Sequence, residues 1–385
     1  MNLKLKTRKR KICVVTSSRA DYSHLYPLIK EINKSDILEL QLVVTGMHLL
    51  KKYGLTINEI KNDGFKISAK IKINQNKSDK KSIIKSMGTQ MINSYDVFAK
   101  IKPDIIIVLG DRYDIHPVVT SSQILNIPVA HFHGGEVTTG SVDNNFRNSI
   151  TKMSHLHFTA DCMFKNRVIK MGENPKNVFN VGSLGNLGIT KKDLMKKDKI
   201  IEYFKFKKNK YILVSIHPET INSNNKVLIN NIIKSISKIR DSNIIFTSPN
   251  SDLESDYILK KITSFVKNNP DSRFIKSAGR NLYLSILKNA YCIIGNSSSC
   301  LIEAPYLYTP SILVGNRQNG RPVSSNIILA NYSCISINKA LAKLANKNFI
   351  KNIKSNIKYL PKNSIKKIIN VLYKTDISKI LQKKF

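Results

Sequence analysis

The stretch Lys102–Asp111, KPDIIIVLGD, decides the fold. Five apolar residues, Ile105 to Leu109, stand between Pro-Asp and Gly-Asp. The run is too short for a helix, is rich in β-branched residues and does not alternate, so both of its faces are covered. Strands covered on both faces belong to parallel sheets flanked by helices. The same signature recurs in KICVVT (11–16), ELQLVVTG (39–46), IPVAHF (127–132), HLHFTA (155–160) and NVFNVGS (177–183), with helical patterns such as HLYPLIKEI between. Repeated βα units build an open α/β sheet.

After a charged stretch, Lys191 to Lys210, the pattern restarts. It continues through YILVSIH (211–217), NIIFTSP (243–249), SRFIKS (272–277), AYCIIGNSS (290–298) and PSILVGN (310–316). Helical candidates include Val227 to Ile239 and Tyr257 to Val266, and the tail from Ile337 to Phe385 reads as helices with Lys-rich outer faces. The expectation is an α/β fold of two domains, residues 1–190 and residues 191–385, the second carrying the C-terminal helices. A length of 385 residues suits two domains of ordinary size.

Lys and Arg number 63 against 26 Asp and Glu, a net charge of +37 that could attract nucleic acid. The lysines are scattered among Asn and Ile, as from Lys70 to Lys81, which marks a compositional bias. Zinc-finger spacing, aromatic RNA-binding stripes and basic helices with interleaved aromatics are missing, so no nucleic-acid partner is expected. The five cysteines, Cys13, Cys162, Cys292, Cys300 and Cys334, are far apart and mostly inside apolar runs. That pattern fits buried free thiols in a reducing compartment. The basic start MNLKLKTRKRKICVV lacks the apolar length and cleavage site of a signal peptide, and no run reaches a membrane span. A cytoplasmic protein with no membrane partner is expected.

The unusual polar clusters follow predicted strands. They are TSSRADYSH (16–24), GDRYD (110–114), HFHGGEVTTGSVDNNFR (131–147), HPET (217–220), GNSSSCLIEAP (295–305) and GNRQNGR (315–321). Ligands of open α/β sheets bind beyond the carboxyl ends of the strands. Clusters drawn from both halves therefore describe one cleft between two domains. Ser297, Ser298 and Ser299 read as a hydroxyl-capped helix start, where backbone N–H groups and the helix dipole favour an anion. Glu303, one turn in, could accept from sugar hydroxyls. Arg317 and Arg321 would bring cations to the same pocket. Arg19 lies in the first βα loop, which has no Gly-rich fingerprint, so no dinucleotide cofactor is indicated. His217, held before Pro218, is either a packed loop histidine or a phosphate contact.

Asp111 ends a strongly apolar strand, where a carboxylate must be paired or used. Arg112 is the adjacent partner. With Glu136, Asp143, His131 and His133 it completes the acid–base groups on offer.

Together, SSRADYSHLYPL, VLGDRYD, IPVAHFHGGEVTTGSVDNNFRNSITKMSHLHF, NVGSLG, HPET, GNSSSCLIEAP and GNRQNGR resemble the hydrolysing UDP-N-acetylglucosamine 2-epimerases of sialic- and legionaminic-acid-type sugar synthesis. The resemblance runs from about Lys11 to the mid-330s. It implies a GT-B-like fold, two Rossmann-like α/β domains with an interdomain cleft, and a nucleotide-sugar substrate. The implied reaction takes UDP-GlcNAc, or a UDP- or GDP-linked 2,4-diacetamido-trideoxyhexose, to the free 2-epimeric sugar and nucleotide diphosphate. It proceeds by elimination to a glycal and hydration, without metal or NAD, in a homodimer or homotetramer. By motif, Arg19, His217, Ser297, Ser298, Ser299, Glu303, Arg317 and Arg321 would bind substrate, while Asp111 and Asp143 match catalytic acids. His133 stands where related enzymes often carry Glu, so either His133 or Glu136 would take that role.

The stretch HFHGGE admits a metal site, a packed turn or proton-transfer groups. His131 and His133 on one strand end would point the same way, as ligands can, but no third ligand is well placed. Proton transfer is the expectation. A GT-B glycosyltransferase, a metal-dependent hydrolase and a basic binding module are the competing classes.

Overall fold

The computed structural model describes residues 8–74, 79–138, 142–189, 191–219, 224–250, 252–360 and 364–383. Parts of two motifs, residues 139–141 and Thr220, lie outside this set. Among the described residues, strands β1 (Arg10–Thr16), β2 (Leu38–Val44), β3 (Ile67–Lys70), β4 (Ile105–Leu109), β5 (Val129–Phe132), β6 (Leu156–Thr159) and β7 (Val178–Asn180) form one sheet. Its order is β3-β2-β1-β4-β5-β6-β7. Strands β8 (Tyr211–Ser215), β9 (Asn243–Thr247), β10 (Ser272–Ile275), β11 (Cys292–Gly295), β12 (Ser311–Val314) and β13 (Ile327–Ala330) form a second, ordered β10-β9-β8-β11-β12-β13. Every strand pairing is parallel. Both sheets are doubly wound, with the strand order reversing beside β1 and beside β8.

β4 is buried along its whole length, and Ile12, Cys13 and Val14 of β1 pair with Ile105, Ile106 and Ile107. One face of this sheet carries Ile105, Ile107 and Phe132, and the other carries Ile106, Val108 and Val129. This two-sided burial produces the uninterrupted apolar runs of the sequence. The two strands not anticipated, β3 and β13, lie at sheet edges. β3 alternates half-buried and exposed positions, and Leu329 of β13 points to solvent.

Of the C-terminal helices, Cys334–Lys343 packs on the second sheet and the last ones pack on the first. The helix Ile365–Lys374 puts Ile368 and Leu372 into the core of the first sheet, beside Ile12 and Leu28. Arg10 donates to the carbonyls of Leu372 and Thr375, and Lys383 reaches Glu173. The apolar face of this helix is buried by the first half, to which the chain returns. Of the free cysteines, Cys13, Cys292 and Cys300 are buried, whereas Cys162 is exposed and Cys334 half-buried. No helix of the described residues is long and apolar enough to cross a membrane.

Candidate active site

The carboxyl ends of both sheets face a common cleft, lined by all the expected site residues except His131. From the first half come Arg19, Asp111, His133, Glu136 and Asp143. From the second come His217, Ser297, Ser298, Ser299, Glu303, Arg317 and Arg321.

Arg19 is the first residue of the helix Arg19–Asn33, whose start is held by a capping box between Ser18 and Asp21. The Asp21 carboxylate also accepts from the Ser17 backbone N–H at 2.6 Å, which ties the loop after β1 to the helix start. Arg19 crosses the cleft and donates to the carbonyls of Lys276, at 2.5 Å, and Ser248, at 2.8 Å. Burial lowers its pKa against the pull of Glu59 and Tyr283.

Asp111 follows β4 and is paired with Arg147, not with its neighbour Arg112. Arg112 instead binds Asp114, at 3.2 Å, and Asp252 of the second half, at 3.0 Å. The pairing follows chain path rather than sequence proximity. Arg147 projects from the helix Asp143–Met153 and is fully buried. It also donates to the Glu136 carbonyl at 2.7 Å, Asn144 Oδ1 at 3.0 Å and Thr138 Oγ1 at 3.0 Å. Asp143 opens the same helix and lies 3.7 Å from Arg317 of the second half.

The two histidines of HFHGGE diverge. His131 belongs to β5, with Nε2 2.7 Å from the Gly110 carbonyl and Nδ1 3.2 Å from Thr151 Oγ1. Burial pushes its pKa down to about 3, against the Gly110 carbonyl. His133 takes a left-handed backbone, φ 64°, which turns its ring off the strand and into the cleft. The expectation that both point the same way therefore fails at this residue. Gly135 explains the motif's second glycine: a Cβ there would lie 2.6 Å from the Phe164 carbonyl oxygen and 2.8 Å from Val168. His133 Nδ1 is 2.8 Å from Glu136 Oε1, and Glu136 Oε2 is 2.7 Å from Arg321. Burial pushes the Glu136 carboxyl up, but Arg321 and His133 outweigh it and hold it at about 2. His133 Nδ1 thus lies against the carboxylate as a close ion-pair contact, while Nε2 is buried in the cleft without a hydrogen-bond partner. Among the described residues, no group of three or more His, Cys, Asp or Glu side chains is gathered as a metal-ligand set.

In the second half, His217 follows β8. Its Nδ1 accepts from the Asn250 backbone N–H at 3.2 Å, which leaves Nε2–H as a donor. Burial first, then Arg317, Arg19 and Arg112, keep this ring neutral. The serine segment differs from the hydroxyl-capped helix start expected. Ser297 caps a single 3-10 turn, Ser298–Cys300, and the α-helix, Glu303–Leu307, begins at Glu303. Pro305 has no N–H to bond back to Leu301, so the helical ladder cannot run through from the serines. Arg321 ties the halves together by donating to the Val137 carbonyl at 2.9 Å as well as to Glu136.

Among the cleft residues not singled out as site residues are Arg147, Arg280, Tyr283 and His24. Arg147 and His24 sit inside quoted motifs, and Arg280 follows β10 in SAGR, so the after-strand signal was available for all but Tyr283. Arg280 donates to the carbonyls of Ser23, Gly185 and Leu187 across the cleft. His24 Nε2 lies 3.4 Å from Glu303 Oε1, and its ring centroid is 5.5 Å from that of His133. It fits because residue 185 is glycine: a Cβ there would approach His24 Nδ1 to 2.1 Å.

Arg19, Arg112, Arg147, Arg280, Arg317 and Arg321 all line the cleft. Burial, then mutual repulsion with Arg321, Arg317 and Arg167, presses the Arg147 pKa well below its usual value. Guanidinium groups crowded in this way favour a bound polyanion.

Two parallel doubly wound sheets enclosing a cationic, acid-lined cleft define the class of two Rossmann-like domains around a shared site suited to an anionic ligand. The profile of the UDP-N-acetylglucosamine 2-epimerase family matches residues 30–373, and the chain belongs to that family. It is similar to the GDP/UDP-N,N'-diacetylbacillosamine 2-epimerase (hydrolyzing) of Campylobacter jejuni, 37% identical over 347 residues, covering 89% of this chain and 90% of that protein. It is also similar to the UDP-N,N'-diacetylbacillosamine 2-epimerase (hydrolyzing) of Legionella pneumophila, 34% identical over 344 residues, covering 89% and 90%. The crystal structure of the Methanocaldococcus jannaschii UDP-GlcNAc 2-epimerase in complex with UDP-GlcNAc and UDP shares the fold. Its TM-score is 0.78 at 23% identity, with 94% of this chain and 99% of that one covered.

Proposed function

We propose that this chain is a hydrolysing 2-epimerase of a UDP- or GDP-linked 2,4-diacetamido-2,4,6-trideoxyhexose. The substrate class rests on the two hydrolysing relatives at 37% and 34% identity. The observation that carries the chemistry is the juxtaposition of a cationic wall with a His133–Glu136 pair in one cleft. We divide the halves near residue 190, so that each contributes one part of the site.

Arg19, His217, Ser297, Ser298, Ser299 and Arg317 hold the diphosphate. Neutralising its charge eases departure with the C1–O bonding pair. The C2 proton passes to a base, and a C1–C2 glycal forms. His133 Nε2 is that base, and Glu136 orients it by accepting from Nδ1–H. This assigns Glu136 to positioning rather than to direct proton transfer. Water then adds hydroxyl at C1, while an acid returns a proton to the opposite face of C2. Asp111, fixed by Arg147, and Asp143, beside Arg317, serve this second half.

The test is incubation of the purified chain in D2O with UDP- and GDP-linked diacetamido-trideoxyhexose and with UDP-GlcNAc, without acceptor, followed by NMR. Free 2-epimeric sugar carrying deuterium at C2, formed fastest from the diacetamido donor, is expected. Preference for UDP-GlcNAc would overturn the substrate class, and no release without an acceptor would overturn hydrolysis.

A further inference from the structure

The helix Asp143–Met153 carries Asp143 and, through Arg147, holds the Asp111 carboxylate at the cleft. Little apolar packing fixes it: of its buried residues, Asp143, Arg147, Ile150 and Thr151, only Ile150 is apolar. Its placement therefore rests on polar contacts along its length and at its ends. Arg147 secures the cleft end, and Thr151 Oγ1 meets His131 Nδ1 at 3.2 Å toward the far end.

The far end is closed by the C-terminal tail. Lys383 Nζ donates to the carbonyl of Lys152 at 2.6 Å and to that of Ser154 at 2.7 Å. These belong to the last turn and its cap, where carbonyls lack partners within the helix and a cation suits the dipole. The same ammonium lies 2.7 Å from Glu173 Oε2. Glu173 is buried and also meets Lys152 at 3.0 Å and His157 Nε2 at 3.0 Å. His157 of β6 pairs in register with His131 of β5, whose Nε2 lies against the Gly110 carbonyl next to Asp111. The two carbonyls and the carboxylate match the three donors of an ammonium group. The Lys383 side chain is 18% exposed, whereas that of Lys379, on the same tail, is 83% exposed. The match with the family profile ends at residue 373, and the tail helix Ile377–Leu381 lies beyond it.

We infer that Lys383 is a positioning residue for the reaction: the C-terminal tail clasps the helix Asp143–Met153 and so sets Asp143 and the Arg147–Asp111 pair in the cleft. The catalytic part of this inference rests on the acid role proposed for Asp111 and Asp143.

In the full chain, Lys383→Met should speed amide hydrogen exchange in the last turn of the helix about tenfold, while Lys379→Met should leave it unchanged. This measurement needs no substrate, so it decides the clasp separately from the proposed function. With the nucleotide sugar that the wild type turns over, Lys383→Met should lower kcat about tenfold, since a displacement near 1 Å costs up to about 10²-fold. KM, and the affinity and stoichiometry of UDP in calorimetry, should not change, which separates misplaced acids from a partly unfolded sample. Free glycal should appear among the products, because proton return to C2 is slowed. Lys383→Arg, which keeps the charge and donors, should recover most of the rate, and a chain ending at Gln382 should behave as Lys383→Met does. Unchanged exchange in the helix of the Lys383→Met chain would overturn the inference. So would a wild-type kcat in that variant, or a loss of turnover matched by a loss of UDP-binding sites.

Discussion

Glu136→Gln tests the reasoning about the site most sharply. The carboxylate lies 2.7 Å from Arg321 and 2.8 Å from His133 Nδ1. A glutamine offers one acceptor and one donor. If its oxygen keeps Arg321, its NH2 faces Nδ1, and the ring must move its proton to Nε2, where it can no longer accept from C2. Loss of a base through the wrong tautomer lowers rates by about 10²- to 10⁴-fold. Nucleotide affinity, which depends on other groups, should change little. Stability supplies a second readout. Glu136 is held at about 2 against an ordinary 4.5. That difference corresponds to about 3 kcal/mol of stability. Because the folded value is the lower one, this contribution is complete above pH 4.5 and is lost as pH falls toward about 2. Urea unfolding followed between pH 6 and 2 should therefore fall more steeply for the wild type than for Glu136→Gln. Near-normal turnover together with an unaltered acid limb would refute the His133–Glu136 pair.

Arg317→Ala and Ser298→Ala should each weaken UDP binding by about 1–3 kcal/mol in calorimetry, because each removes a donor to a charged ligand. Asp111→Asn should lower turnover about 10²-fold or more. It should also lower the melting temperature, because the buried Arg147 guanidinium loses its carboxylate. Gly185→Ala should destabilise the fold by about 1–3 kcal/mol, by thermal melting, and lower activity, since its methyl would displace the His24 ring. Exhaustive dialysis against EDTA should leave turnover unchanged, with a loss restored by a divalent metal as the contrary result.

The sequence by itself determined the α/β fold with its parallel sheets and pointed to several of the polar clusters that line the cleft. Buried parallel strands are written as short apolar runs such as Ile105–Leu109, because both faces meet helices and neither tolerates polar side chains. β3 was illegible because its positions alternate half-buried and exposed, and β13 because its short run turns Leu329 to solvent between polar neighbours. Residues placed just after strands had to gather at the carboxyl edges, so Arg19, Asp111, His217 and Ser297 could be assigned to one site without knowledge of any contact. The tertiary structure alone decided who pairs with whom. Asp111 joins Arg147 across 36 residues and Arg112 joins Asp252 across 140. The left-handed turn at His133 separates it from His131. The last helix returns to the first sheet because its apolar face, Ile368 and Leu372, finds cover there. A one-dimensional pattern records which side chains avoid water. Which ions meet depends on the path that brings distant segments within a few ångströms, where burial makes each pairing obligatory.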